Sequence, residues 1–159
     1  MNDRTRTGEL FSHIERNLGV LAELREELRL AVEQDVKKLG RTQRAAIMVA
    51  GIIESYYTCI ETVFLRISQF FENSLRPERW HHDLLERMNL EIADVRPRVI
   101  SDEVYSDLVE LMRFRHFRRY YFSLAYDWER LDAVLDRLSR THPVLCEELE
   151  AFHSLIEKL

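Results

Sequence analysis

The sequence predicts an all-α fold, an up-and-down bundle of about six helices that forms one domain over residues 1–159. Four glycines and three prolines are too few for the turns that an all-β domain needs about every 8–12 residues. Long stretches rich in Leu, Glu and Arg favour helix instead. A length of 159 residues with 46% hydrophobic content suits a single folded domain with one core.

The first helix is predicted from about Thr7 to Lys38. Apolar residues recur there at steps of three and four, with Glu and Arg between them. Gly40 is expected to end the helix as its C-terminal cap. A coiled-coil arm is the alternative, and we favour a long bundle helix. The apolar positions are Leu10, Ile14, Leu18, Leu21, Leu24 and Leu28.

The second helix is predicted from about Thr42 to Asn73, and it is apolar nearly all round from Ala45 to Phe64. This pattern indicates a central, buried helix. Glu54 and Glu61 are seven residues apart and therefore share a face. Because a buried carboxylate is costly unless it is paired, at least one of them should meet an arginine or line a polar cavity.

The second half of the chain is predicted to hold four shorter helices. Ser101 and Asp127 are the expected N-caps of two of them, and proline opens the other two. The expected ranges are Glu78 to about Ile92 after the loop Ser74–Pro77, Ser101 to about Leu124 after the connector Asp94–Ile100, Asp127 to about Leu138, and Pro143 to Leu159.

Charge and cysteine usage narrow the functional class. A net charge of −5 argues against a generic polyanion binder, so any nucleic-acid site must be a local basic patch. Cys59 and Cys146 stand alone without CxxC spacing, which fits a reducing cytosol and argues against a disulfide framework. The first ten residues lack the apolar core of a signal peptide. The longest apolar run, Ala45–Ile53, is far shorter than the roughly 20 residues that span a bilayer. We therefore expect a cytoplasmic protein with no membrane contact.

The segment Met112–Phe122 interleaves four arginines and a histidine with aromatic residues. Arginine binds phosphate through a rigid fork and aromatic faces stack on bases, so this segment suits RNA. The alternative is a solvated helix face with aromatics in the core. Arg115 should pair with a buried acid such as Glu61, or line a cleft or subunit interface, because it falls on an apolar stripe. The other members of that stripe are Val104, Leu108, Leu111 and Phe122.

Several segments together resemble HepT-like members of the HEPN superfamily of nucleases. The similarity covers the chain from about Ile47 to Leu138. The segments that carry it are Tyr57-Thr58 with Ile60-Glu61, Ser74-Leu75 with Arg79-Trp80-His81, Leu84-Leu85-Glu86 with Met88, Arg96-Pro97 with Val99-Ile100-Ser101, Phe114-Arg115-His116-Phe117-Arg118 with Tyr121, and Asp127-Trp128.

The resemblance implies a helical ribonuclease toxin that acts as a homodimer, with its active site in a cleft between subunits. The family motif is Arg-x(4–6)-His-x-Tyr, and the partner antitoxin is a nucleotidyltransferase that can AMPylate the motif tyrosine. Carried over to this chain, Arg113 is the motif arginine and Tyr121 the motif tyrosine. We expect RNA cleavage without metal or cofactor. The remaining expected site residues are Arg115, His116 and Arg119 in catalysis, Arg118 and Tyr120 in RNA binding, and Glu61 in a supporting position.

Arg119 stands where the carried-over motif has its histidine. Metal-free cleavage needs a group that moves a proton near neutral pH, which an imidazole does and a guanidinium does not. His116 could take over this step. On a straight helix, Arg119 and Tyr121 also point about 200° apart. Either the helix breaks locally, or the two residues serve different surfaces, or both subunits contribute to one site. Two hypotheses follow: an endoribonuclease toxin with an altered motif, and a catalytically degenerate module that binds RNA or a nucleotidyltransferase.

A metal site is a weaker alternative. Two Glu-x-x-His pairs and two further glutamates make up the ligand set of ferritin-like di-iron bundles. The pairs lie near the ends of their predicted helices, and acids and histidines produce such spacings by chance, so we expect no metal. The pair His81-His82 is better explained as exposed surface histidines. The di-iron candidates are Glu78, His81, Glu150, His153, Glu54 and Glu61.

Overall fold

A computed structural model describes the backbone of residues 3–72, 80–121 and 125–158, and the side chains of 6–72, 80–119 and 125–158. Within these residues the chain forms five helices and no strand, which confirms the all-α prediction. Helix α1 is Asp3–Leu30 and continues through a π-helical turn, Ala31–Asp35, into Val36–Leu39. The other helices are α2, Gln43–Phe71; α3, Trp80–Met88; α4, Asp102–Tyr121; and α5, Trp128–Ile156.

Helix α1 is a bundle helix, as we favoured over a coiled-coil arm. It packs along both α2 and α5 and buries Leu10, Ile14, Leu21 and Leu28. Gly40 ends it as predicted, with a φ of 74° that lies in the left-handed region where glycine is favoured. Its N–H donates to the carbonyl of Val36 at 2.8 Å.

Helix α2 is the predicted central helix and packs against each of the other four helices. Its N-cap is Thr42, whose Oγ1 accepts from the N–H of Ala45 at 3.2 Å. By length and composition α2 could also cross a membrane, with a mean hydropathy of 1.3 over an 18-residue window. More than half of that window is buried within the bundle, as the core helix of a soluble protein requires.

The last helix explains why the described residues form five helices rather than the predicted six or so. Pro143 was expected to begin a separate helix, but it lies inside the continuous α5. A proline within a helix costs about 3 kcal/mol because one backbone hydrogen bond is lost. Leu138 on one side, and Leu145 and Leu149 on the other, are fully buried. Their burial on one apolar face offsets the lost bond and keeps the helix unbroken.

The connector between α3 and α4 fixes where α4 lies. Helix α3 ends at Met88 rather than near Ile92, and the Met88 carbonyl accepts from the N–H groups of Val99 and Ile100 at 2.9 and 3.1 Å. Ser101 caps α4 as predicted, with its Oγ accepting from the N–H of Val104 at 3.4 Å. The predicted cap of α5 is also confirmed, because the Asp127 carboxylate accepts from the N–H of Glu129 at 3.0 Å. As a result, α4 packs along the side of α2.

Candidate functional site

Two clusters form where α4 packs on α2, and Glu61 is the centre of the inner cluster. Its buried carboxylate meets Arg115 Nη2 at 3.5 Å through Oε1 and His81 Nδ1 at 2.6 Å through Oε2. Arg115 Nε donates to Thr58 Oγ1 at 3.0 Å, and its Cζ lies 6.0 Å from the ring centroid of Tyr57. The predicted contact between Arg115 and Glu61 is therefore confirmed.

Burial keeps the Tyr57 phenol of the inner cluster uncharged. It raises the pKa of the Tyr57 phenol well above its usual value, and the neighbouring Glu61 carboxylate adds to this rise. Tyr57 is therefore a neutral hydrogen-bonding group at physiological pH. Glu61 is the shared partner of the inner cluster, with Arg115 on one of its oxygens and His81 on the other.

The outer cluster is centred on Glu54, one repeat of seven residues before Glu61 on α2. Arg118 donates from Nε to the Glu54 carboxylate, and Arg119 Nε lies 3.9 Å from its other oxygen. Arg118 Nη1 also donates to the carbonyl of Ile47 at 3.3 Å. Seven residues of helix rise about 10 Å, so the two clusters lie one above the other along α2.

The structure separates Arg113 from these clusters. Its side chain is 65% exposed and pairs with Glu110, one turn earlier on the same helix, at 2.6 Å. At about 100° per residue, Arg113 points about 200° away from Arg115. His116 is also exposed on α4. One protomer therefore does not bring Arg113 together with Arg115 and Arg119.

Tyr120 and Tyr121 lie in the final turn of α4, but their side chains are outside the described residues. The expected stacking of Tyr120 and modification of Tyr121 therefore stay predictions. The backbone is helical through Tyr121, so no local break occurs between Arg119 and Tyr121. The two residues serve different surfaces or meet through a second subunit.

The basic patch is more neutralised than its sequence suggests. Arg113, Arg115, Arg118 and Arg119 each lie within 4 Å of a carboxylate. Four guanidinium groups thus face the three carboxylates of Glu54, Glu61 and Glu110, which leaves one net positive charge before histidines are counted. A single protomer presents only a weak positive field in this region.

His81 is the site residue that the sequence reasoning missed, since it was interpreted as a surface histidine. Its side chain is 33% exposed and its Nδ1 is bonded to the buried Glu61. The neighbouring Trp80 ring stacks on the imidazole, with 3.7 Å between the centroids. The sequence did indicate that a buried Glu61 needs partners. The spacing of His81 from Glu61 did not indicate that α3 would supply one of them.

The di-iron alternative does not assemble among the described residues. Glu54 and Glu61 are bound by arginines, His153 stacks on Phe11, and Glu78 lies outside the described part of the chain. Within that part, one group of three side chains could hold a metal ion. It consists of His82, Asp83 and Glu86 on the outer side of α3.

Comparison with known proteins identifies one family. The model of a family described as HepT-like protein matches residues 48–156, about two thirds of the chain. It includes α3, α4, α5 and all but the first turns of α2. No curated protein and no solved structure matches the chain.

The histidine of the family motif is missing in every register that the segment permits. Counting from Arg113, the histidine position is Arg118, Arg119 or Tyr120, and counting from Arg115 it is Tyr120, Tyr121 or Phe122. His116 would need an arginine at 109–111, where the sequence reads Val-Glu-Leu. The absence of the motif histidine therefore does not depend on which arginine is taken as the first motif residue.

Proposed function

Because the chain belongs to the HepT-like family of the HEPN superfamily, we propose that it is the toxin of a toxin–antitoxin pair. In this proposal it is a cytoplasmic, metal-independent endoribonuclease that cleaves RNA from a cleft between two subunits. A nucleotidyltransferase antitoxin controls it. The observation that carries the proposal is the pair of stacked clusters on α2 and α4.

The two clusters are suited to a phosphate chain. Glu54 and Glu61 hold Arg115, Arg118 and Arg119 on one face of α4, so the guanidinium groups are already oriented before RNA binds. Arg119 is half-exposed, at 49%, and Glu54 is shared between it and Arg118. A phosphate at the outer cluster therefore meets two arginines and one carboxylate, a local excess of positive charge.

A two-fold homodimer would strengthen this site. One net positive charge per protomer is weak for RNA, and two-fold symmetry doubles it within one cleft. Arg113 points away from the clusters of its own protomer, so it can join an RNA site only across a subunit interface. Light scattering at micromolar concentration should give a dimer mass. A monomer would contradict this part of the proposal.

The direct test is a time course of total-RNA cleavage in the presence of a metal chelator. The natural protein should cut RNA, and the double variant Arg118→Gln, Arg119→Gln should bind RNA more weakly with a shallower salt dependence. Arg98→Gln is the matched control, because Arg98 is a half-exposed arginine that pairs with Asp102 at the start of α4. Absence of cleavage by the natural protein, at any concentration tested, would refute the nuclease.

The second candidate function is a degenerate module that binds RNA or a nucleotidyltransferase and cuts nothing. The absence of a histidine at every possible motif position favours it, as does the neutralisation of the arginines. Arg119→His and His116→Ala separate the two functions when they are compared with the natural protein. A gain of about 10²–10⁴-fold in Arg119→His over an inactive natural protein would show that an imidazole at this position is what is missing. Tight RNA binding without cleavage in all three proteins would favour the binding module.

Control by a nucleotidyltransferase is tested at Tyr121. AMP on the phenol would add bulk and negative charge at the final turn of α4 and so block RNA. Intact mass after co-expression with a cognate nucleotidyltransferase should show adenylate additions that Tyr121→Phe abolishes. Additions that persist in the variant would move the modified residue elsewhere, with Tyr120 the first to test.

A further inference from the structure

We propose that His81 is the proton-transferring residue of the site and supplies the imidazole that the motif on α4 lacks. Glu61 is its positioning residue. This assignment rests on the proposed endoribonuclease and adds a catalytic residue that comes from a different helix, α3. It replaces the expectation that His116 or a histidine at position 119 moves the proton.

The geometry of the pair fixes which nitrogen can react. Glu61 Oε2 lies 2.6 Å from His81 Nδ1, and the Glu61 side chain is only 7% exposed. A buried carboxylate accepts the Nδ1–H and so sets the tautomer, which leaves the lone pair on Nε2. Nε2 has no hydrogen-bond partner among the described residues, and a third of the His81 side chain reaches solvent. The Trp80 ring stacked on the imidazole limits its rotation.

The same carboxylate connects His81 to the arginines. Glu61 binds His81 through Oε2 and Arg115 through Oε1. The imidazole that accepts the proton and the guanidinium cation are therefore bound to the same carboxylate. In this proposal the phosphodiester binds at Arg115 and its ribose meets the imidazole on the part of His81 that reaches solvent. The histidines His142 and His153 are engaged elsewhere in the fold, by the Tyr56 hydroxyl and the Phe11 ring.

The proposed step balances without metal or cofactor. His81 Nε2 takes the proton of the ribose 2′-hydroxyl, and the 2′-oxygen forms a bond to phosphorus. The bond from phosphorus to the 5′-oxygen breaks, and that oxygen takes a proton from water. The imidazolium then returns its proton to the solvent. The products are a 2′,3′-cyclic phosphate and a 5′-hydroxyl end, while Arg115 stabilises the charge on the phosphorane.

A purely structural role for His81 is the competing explanation, because the Glu61 contact also ties α3 to α2. Rescue by free imidazole separates the two. An imidazole from solution can restore a missing proton acceptor in the cavity left by His81→Ala, whereas it does not rebuild a contact between helices. His82→Ala is the matched control, since His82 is the next residue, is exposed, and lies 3.9 Å from Glu86 on its own helix.

The experiment measures cleavage of a labelled RNA by the natural protein, His81→Ala and His82→Ala, each with and without imidazole. We expect His81→Ala to lose about 10²–10⁴-fold in rate, to regain a measurable part with imidazole, and to retain RNA affinity. His82→Ala should match the natural protein. Glu61→Gln should lower the rate constant more than it raises the KM for RNA, because it misplaces the imidazole and Arg115, while Arg118 and Arg119 stay paired with Glu54.

The outcomes are distinct. Cleavage by the natural protein that persists in His81→Ala, or a loss in His81→Ala that imidazole does not restore in a folded protein, overturns the assignment and leaves the nuclease intact. If His81→Ala does not fold, as judged by circular dichroism, His81→Gln decides, because its amide can still donate to Glu61 but cannot move a proton. No cleavage by the natural protein overturns both the nuclease and this assignment.

Discussion

Arg96 and Arg115 each meet a glutamate with a buried side chain, Glu72 at the C-cap of α2 and Glu61 within α2, and they use their hydrogen bonds very differently. The Arg96 side chain is 0% exposed. It donates to Glu72 at 2.7 Å and to the backbone carbonyls at positions 87, 90 and 97. Among the described residues, Arg115 makes one hydrogen bond, to Thr58, and a looser ion pair with Glu61 at 3.5 Å.

The difference distinguishes an ion pair that stabilises the fold from one that can bind a ligand. Arg96 links the connector between α3 and α4 to the C-terminal end of α2. Each of its three guanidinium nitrogens donates a hydrogen bond. Arg115 keeps N–H donors without a partner among the described residues, and its glutamate also holds a part-exposed histidine. Unused N–H donors next to a histidine that reaches solvent can bind a phosphate.

The largest expected effect on stability is at Arg96. Arg96→Met leaves Glu72 with Arg87 as its ion-pair partner and removes a hydrogen-bond donor from Glu72 and from three backbone carbonyls. At about 1 kcal/mol for each lost hydrogen bond, the free energy of unfolding should fall by about 3–5 kcal/mol. Urea unfolding followed by circular dichroism measures it. Arg98→Met, two residues on and half-exposed, should stay within about 0.5 kcal/mol of the natural protein. Equal losses in the two variants would break the comparison.

A smaller loss of stability is expected at Arg115. Arg115→Met removes one hydrogen bond and a loose ion pair, while Glu61 keeps His81 as its partner. The free energy of unfolding should therefore fall by about 1–3 kcal/mol in the same urea experiment. A loss as large as that of Arg96→Met would mean that Arg115 is also a structural arginine.

The smallest expected effect is a pH dependence of stability that comes from His142, outside both clusters. His142 Nδ1 is bonded to the Tyr56 hydroxyl at 2.8 Å, and burial, followed by nearby Arg25, lowers the pKa of His142. The unfolded chain therefore binds a proton at His142 more readily than the folded one. This contribution to stability is complete above the ordinary histidine pKa, about 6.5, and is lost as the pH falls from there through the lowered value.

Unfolding free energies at pH 7.5 and pH 5 measure that loss. His142→Gln should show a smaller decrease between the two than the natural protein does, since glutamine does not titrate. An identical decrease in the variant would assign the acid sensitivity to other groups.

Local chemistry made much of the fold predictable. Gly40, Ser101 and Asp127 end or begin helices through contacts within a few residues, which a sequence shows directly. The prediction that Pro143 begins a new helix was wrong, because the burial of α5 on both sides of it outweighs the tendency of proline to interrupt a helix. The predicted helix boundary there depended on tertiary packing that the residue itself does not reveal.

The site was predictable only in part. Helical periodicity together with the free-energy cost of a buried charge led to the contact of Arg115 with Glu61. His81 was missed because its contact with Glu61 depends on how α3 docks, 20 residues further along the chain. Periodicity could have separated Arg113 from Arg115, since residues two apart on a helix point about 200° apart.

The central claim is that the Arg115 region acts on RNA and the Arg96 region holds the fold. It is tested by the RNA-cleavage rates of Arg115→Met and Arg96→Met, at a temperature where circular dichroism shows both to be folded. We expect Arg115→Met to lose about 10²–10³-fold in rate, while Arg96→Met cleaves at the natural rate despite its larger loss of stability. Equal rates in the two variants, or a greater loss in Arg96→Met, would contradict the account.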